Sequence, residues 1–157
     1  MPKGQLSKTL TAMAGEFYVA AELCRRGYVA GLTMKNFPKV DIFALNPATG
    51  RQVAIQVKTT GANKNPSFFV PQDPGGPEMV FVFVTLSAAG YEAYVLRANE
   101  VRALSRQART DYLQKPHKKP LREEDQPLML GLSEIAAFQG RWDRVFDEPT
   151  GPGGHAA

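Results

Sequence analysis

The feature of this sequence that most constrains its fold is an unbroken apolar run from Met79 to Val84. A strand with one wet face alternates apolar and polar residues, whereas a strand covered on both faces is apolar throughout. The run is also far shorter than the roughly 20 residues that a membrane-spanning helix needs. It therefore predicts a central strand, with a layer of structure packed on each face of its sheet.

Strands are predicted mainly in the middle of the chain, because β-branched and aromatic runs there are separated by Gly, Pro and Asn. Besides the central strand, the sequence predicts strands at Tyr28–Leu32, Asp41–Leu45, Val53–Thr59, Ser67–Val70 and Tyr91–Leu96.

Helices are predicted before and after these strands in the sequence. Apolar spacing favours a first helix from Ser7 to Arg26, with Ser7 as N-cap and Gly27 after its last turn. Asn99 is expected to cap a second helix that runs to about Leu113, and Ser133 is expected to cap a short one from Glu134 to Phe138. The expected inner faces are Leu10, Met13, Phe17, Ala20, Ala21 and Cys24 in the first helix, and Val101, Leu104, Ala108 and Tyr112 in the second.

The fold class expected from this order is α/β, a single domain with a central mixed β-sheet flanked by helices. The chain has 157 residues, which suits one domain with its own core. We expect the domain to cover residues 1–146, with Trp142 filling the core. The Gly- and Pro-rich residues 147–157 are expected to form a disordered tail.

Composition favours a cytoplasmic protein. No apolar run is long enough to span a membrane and no secretory signal follows Met1, so we expect no membrane association. The single cysteine, Cys24, has no partner for an internal disulfide and is expected to be buried. The net charge of +4 permits contact with a phosphate backbone without demanding it.

Polar side chains converge in a predicted hairpin. The strands at Asp41–Leu45 and Val53–Thr59 flank a turn that contains Pro47 and Gly50. Residues two apart on a strand point to the same face, so Gln56 and Lys58 project together. With Asp41 beside them, the Asp41 carboxylate and the Gln56 amide would offer two oxygens to a divalent cation, and Lys58 would place an ammonium next to it.

A second carboxylate is expected from the first helix. Glu16 shares a helical stripe with Ala20 and Leu23, and a carboxylate on such an apolar face needs a partner or a role. Gly15 precedes it and would permit close approach of the helix backbone to a neighbour.

These residues carry a resemblance to a known family. Gly15-Glu16, Gly27-Tyr28, Val40-Asp41-Ile42 and Ile55-Gln56-Val57-Lys58 resemble the PD-(D/E)xK nuclease superfamily. The similarity spans roughly residues 9–60 and is nearest in character to archaeal Holliday-junction resolvases and small restriction-endonuclease-like proteins. It implies a restriction-endonuclease-like αβββαβ core, cleavage of DNA that depends on Mg²⁺ or Mn²⁺, and frequently a homodimer.

The sequence departs from that pattern at two positions. Val40 stands where a proline is usual, in a structural role. Gln56 stands where a carboxylate is usual, and an amide binds Mg²⁺ more weakly because it carries no formal charge. The alternative is therefore a catalytically weak or inactive nuclease-fold module that binds nucleic acid or assembles with a partner. A protein that never touches nucleic acid is a third possibility.

The leading hypothesis is a metal-dependent DNA endonuclease acting on duplex or branched DNA. Asp41 and Gln56 would hold the metal, Glu16 would complete its ligands, and Lys58 would orient water or stabilise charge. Phe68 and Phe69 are expected either to pack on the sheet or to line a groove, and packing is favoured. Basic residues expected to contact phosphates are Lys8, Lys35, Lys39, Lys64, Lys115, Lys118, Lys119 and Arg122.

Overall fold

The computed structural model describes residues 6–34, 38–61, 65–116 and 127–147. Its helices are α1 (Lys8–Arg25), α2 (Ala98–Leu113) and α3 (Leu132–Ile135), with 3₁₀ turns at Ala136–Phe138 and Trp142–Val145. Its strands are β1 (Val29–Leu32), β2 (Ile42–Leu45), β3 (Gln52–Gly61), β4 (Ser67–Val70), β5 (Met79–Ser87), β6 (Gly90–Arg97) and β7 (Leu128–Gly131). None of the helices in these ranges combines the length and apolarity that crossing a membrane requires.

The main sheet has five strands in the order β1-β2-β3-β5-β6. All neighbouring pairs are antiparallel except β3 and β5, which run parallel, so the sheet is mixed as predicted. Every side chain from Val80 to Val84 is 0% exposed. The unbroken apolar run therefore forms the buried inner strand that the sequence predicts.

Each face of the sheet has its own core layer. On one face Val19 and Leu23 of α1 pack with Ile55, Val57 and the buried Trp142. The other face is covered by α2 and by a second, two-stranded sheet in which β4 pairs with β7. The connection from β3 to β5 thus carries β4, whereas the αβββαβ order has a helix between these two parallel strands.

α1 packs through a different stripe from the predicted one. Its buried residues are Gly15, Val19 and Leu23, whereas Leu10 and Phe17 are 53% and 56% exposed. A further correction is that Cys24 is exposed, as is Met13 at 38%. The cause is Gly15: a Cβ at that position would lie 1.8 Å from Thr59 Oγ1, so only glycine lets the helix lie this close to β3.

Helix ends agree with the sequence at α1 and differ at α2 and α3. Ser7 Oγ accepts a hydrogen bond from the Leu10 N–H at 3.2 Å, and Gly27 has a φ of 84°. α2 begins at Ala98 with Arg97 as its cap instead of the expected Asn99, and the Arg97 N–H donates to the Glu100 carboxylate at 2.8 Å. α3 starts in the same way, with the Gly131 N–H donating to the Glu134 carboxylate at 2.8 Å, in place of the expected Ser133 cap.

The predicted inner stripe of α2 is also corrected in part. Val101 and Ser105 are the buried positions in the body of this helix. Tyr112, expected on the inner face, is 46% exposed. The end of the stripe is exposed because mainly the first half of α2 contacts β7 and the main sheet.

Candidate active site

The backbone of Asp41 is fixed where three strands meet. Its N–H donates to the Ile55 oxygen of β3 at 2.9 Å, and its own oxygen accepts from the Thr33 N–H, also at 2.9 Å. Lys39, two residues earlier, has a φ of 65°, an uncommon left-handed conformation for a residue with a Cβ. This turn buries Val40 and brings Asp41 to the start of β2.

The Asp41 carboxylate bonds to the backbone of the next strand. Its Oδ2 atom accepts a hydrogen bond from the Val57 N–H at 2.7 Å. The β2–β3 ladder ends at the Ile42–Ile55 pair, so the side chain takes a donor that a continuing strand would otherwise bind. The carboxylate is thereby oriented by the backbone, as a pre-organised ligand should be.

Gln56 lies beside Asp41 on the adjacent strand. Since Ile42 pairs with Ile55, the antiparallel register sets Asp41 opposite Gln56, on the face away from those two isoleucines. The Oε1 atom of Gln56 is buried and has no hydrogen-bond partner among the described residues. Burying a carbonyl oxygen unpaired costs about 1–3 kcal/mol, and a bound cation would remove that cost.

The residues present fit a divalent cation of the magnesium type. Mg²⁺ prefers carboxylate, amide and water oxygens, and it retains several of its waters. In the described ranges no group of three or more His, Cys, Asp or Glu side chains is placed to hold a metal. A cation here would therefore depend on the Asp41 carboxylate, the Gln56 amide oxygen and retained water.

Lys58 continues the same face of β3. It lies opposite Phe83 of β5, just as Gln56 lies opposite Phe81. From Val57 onward β3 is paired with β5 alone in the described part of the chain. Lys58 lines a cleft of about 390 Å³ beside this unpaired edge, together with Lys8 of α1.

Glu16 is half-buried on α1, next to the glycine that touches Thr59. Residues two apart on a helix are about 200° apart around its axis, so Glu16 and Tyr18 occupy opposite flanks. The Tyr18 ring stacks on Tyr91 of β6, with centroids 4.5 Å apart. Glu16 therefore lies on the flank of α1 away from β6. α1 covers the sheet face to which Ile55 and Val57 point, whereas Gln56 and Lys58 point to the other face. The role of Glu16 as a metal ligand stays a prediction.

The basic residues expected to contact phosphates are only partly described. Lys8 lies in the cleft with Lys58, and Lys115 is exposed just after α2. Lys39 Nζ is 3.8 Å from Asp73 Oδ2, and the Gly75 N–H, followed by Lys39, holds the pKa of Asp73 below its ordinary value. Outside the described residues are Lys35, Lys64, Lys118, Lys119 and Arg122, and the predicted tail from residue 148 onward.

Packing on the sheet, favoured for two adjacent phenylalanines, is right for one, and the alternative of lining a groove is right for the other. Phe68 is 3% exposed and packs on Phe83, with centroids 5.0 Å apart. Phe69 is 66% exposed and lines the cleft. Neighbours on a strand point to opposite faces, so this sequence rule alone could have marked one of the two as exposed.

The fold has a counterpart among solved structures. A bacterial homing endonuclease, I-Ssp6803I, matches over 88% of this chain and 91% of its own, with a TM-score of 0.51 and 10% sequence identity. At that identity the likeness shows a nuclease-like fold and nothing finer. No protein-family profile matches the sequence, and no curated protein matches it either.

Proposed function

We propose that this protein is a metal-dependent DNA endonuclease that hydrolyses phosphodiester bonds. The observation that carries the proposal is the Asp41 carboxylate, oriented by the Val57 N–H, beside the buried and unpartnered Oε1 of Gln56. Lys58 adds a positive charge on the same face. DNA as substrate is supported by the fold shared with a homing endonuclease and by the basic net charge.

Asp41 and Gln56 would hold Mg²⁺ or Mn²⁺, with Glu16 as a further ligand, directly or through water. When bound, the ion would polarise a phosphoryl oxygen and make a water more acidic. The Val57 N–H fixes the orientation of the Asp41 carboxylate, and a ligand already held in one orientation loses little freedom when it receives an ion.

Lys58 would act on the reacting groups themselves. In hydrolysis a water oxygen forms a bond to phosphorus, one phosphorus–oxygen ester bond breaks, and the departing oxygen gains a proton. The Lys58 ammonium can orient the attacking water or stabilise the negative charge that grows on the phosphoryl oxygens. The products are a phosphomonoester and a hydroxyl end.

DNA contact would be made through phosphates. Lys8 lies in the same cleft as Lys58. Lys39 forms an ion pair with Asp73, and Lys115 is exposed just after α2. Such contacts position a duplex or branched substrate without reading its sequence. We extend the same role to the residues that lie outside the described ranges, Lys35, Lys64, Lys118, Lys119 and Arg122.

A binding module without catalysis is the second candidate, and the neutral Gln56 favours it. Calorimetric titration with Mn²⁺ separates the two functions. We expect measurable binding by the native protein and about tenfold tighter binding by Gln56→Glu, because an added ligand charge strengthens a cation site. Gln52→Glu, an exposed change on the same face of β3, should leave the affinity unchanged.

The outcome of this titration distinguishes the endonuclease from the binding module. If neither the native protein nor Gln56→Glu takes up Mn²⁺, while DNA binding persists and weakens with salt, the binding module is the better description.

The family resemblance also leads us to propose a homodimer. Sedimentation velocity should give a species of twice the 17.2 kDa chain mass at micromolar concentration. A single species at the mass of one chain, unchanged as concentration rises, would rule the dimer out.

A further inference from the structure

The cleft beside Lys58 extends well beyond the proposed metal ligands. It has a volume of about 390 Å³ and lies between the start of α1, the end of β3 and strand β4. That volume is within the range of about 300–1,000 Å³ that is typical of sites for small organic groups. Side chains that bear on its chemistry are Lys8, Thr11, Lys58, Thr60, Ser67 and Phe69.

The polar lining of the cleft suits a phosphate. Lys8 and Lys58 approach it from α1 and β3, and neither is in an ion pair with a described residue. Hydroxyl groups of Thr11 and Ser67 add donors around the two ammonium groups. Among the described residues that line the cleft none is acidic, so an anion would meet no like charge from them.

The apolar wall of the cleft suits the flat face of a base. Phe69 is 66% exposed, although it stands on a strand held down by the buried Phe68 and by pairing with β7. Nucleic-acid bases stack on exposed aromatic rings whose backbone is held in place by packing. In an intact duplex both faces of each base are covered by the neighbouring bases. Only an unpaired base can therefore present a free face to an aromatic ring.

We propose that this cleft receives one unpaired nucleotide of a DNA strand, with its phosphate at Lys8 and Lys58 and its base stacked on Phe69. The inference rests on the proposed nuclease function, because Lys58 serves both sites. It narrows the substrate class to DNA that carries an unpaired stretch next to the scissile phosphate, such as a single-stranded tail, a flap or a branch point.

Binding without metal tests the cleft separately from cleavage. Fluorescence anisotropy in EDTA would compare a labelled blunt duplex with the same duplex carrying a short thymidine tail. We expect the tail to strengthen binding by about tenfold, as stacking of a base on an aromatic ring does. Phe69→Ala should lose that gain, and Phe69→Trp should keep it.

Phe17→Ala is the matched control, because Phe17 is 56% exposed and does not line the cleft. It should keep the full gain from the tail. A native protein that binds both duplexes equally, or a Phe69→Ala variant that still prefers the tail, overturns the inference. Retained preference for the tail without cleavage in Mn²⁺ would instead overturn the proposed nuclease function and leave the cleft assignment in place.

Discussion

Asp41→Asn and Lys58→Met will each reduce cleavage of DNA in Mg²⁺ by at least about 10²-fold, the usual cost of losing one preorganised charge-stabilising group. The strand register sets Asp41 opposite Gln56, so its replacement by an amide would remove a formal negative charge from the proposed metal ligands. Lys58 offers its ammonium on the same face. The measurement is the rate of nicking or linearisation of plasmid, or of a branched duplex, with each purified variant.

The Asp41→Asn change is chosen because it keeps the fold. The asparagine Oδ1 can still accept the Val57 N–H that the carboxylate accepts at 2.7 Å, so melting temperature should change little. Asp111→Asn makes the same replacement at an exposed position on α2, and Arg25→Met removes an exposed positive charge. Both controls should cleave at the native rate, and full activity of Asp41→Asn or Lys58→Met would exclude the proposed site.

Gly15→Ala will destabilise the protein by about 2 kcal/mol or more, the cost of overpacking a tight contact. In an exposed helix the same change is stabilising by about 1 kcal/mol, so the expected sign is opposite to that of helix propensity. The reason is the Cβ, which would lie 1.8 Å from Thr59 Oγ1 and 2.9 Å from Thr59 Cβ. Thermal unfolding should show a melting temperature lowered by roughly 4–8 °C.

Two further variants separate the Gly15 contact from a general effect of alanine. Gly76→Ala should leave the melting temperature nearly unchanged, because a Cβ there meets nothing within 4 Å. Thr59→Ala in the Gly15→Ala background should restore part of the stability, since the threonine hydroxyl is the nearest obstruction. If Gly15→Ala raises the melting temperature, α1 does not lie on β3 at this distance.

The face shared by the polar site residues could be predicted because strand periodicity is simple. Alternation along β3 separates Gln56 and Lys58 from Ile55 and Val57, and the hairpin turn sets the register that brings Asp41 opposite Gln56. The bond from the Asp41 carboxylate to the Val57 N–H could not be predicted in the same way. It depends on where the β2–β3 ladder ends, and local residue patterns do not encode that position.

The packing of α1 shows a different limit. Hydrophobicity points to Leu10, Met13 and Phe17 as the inner stripe, yet the helix packs through Gly15, Val19 and Leu23. The helix packs closely on β3 because Gly15 has no side chain there. A stripe derived from the spacing of apolar residues gives such a glycine no weight. β7 was not predicted for a similar reason, since Leu128–Gly131 is too short to show alternation and pairs with β4, which is distant in sequence.

A crystal structure of the protein soaked in Mn²⁺ addresses the metal site most directly. We predict an anomalous peak at about 2.0–2.3 Å from both an Asp41 carboxylate oxygen and Gln56 Oε1. Glu16 should reach the ion directly or through an ordered water. A crystal with no manganese between Asp41 and Gln56, in which Gln56 Oε1 is satisfied by water alone, would contradict the proposed metal site and the endonuclease function built on it.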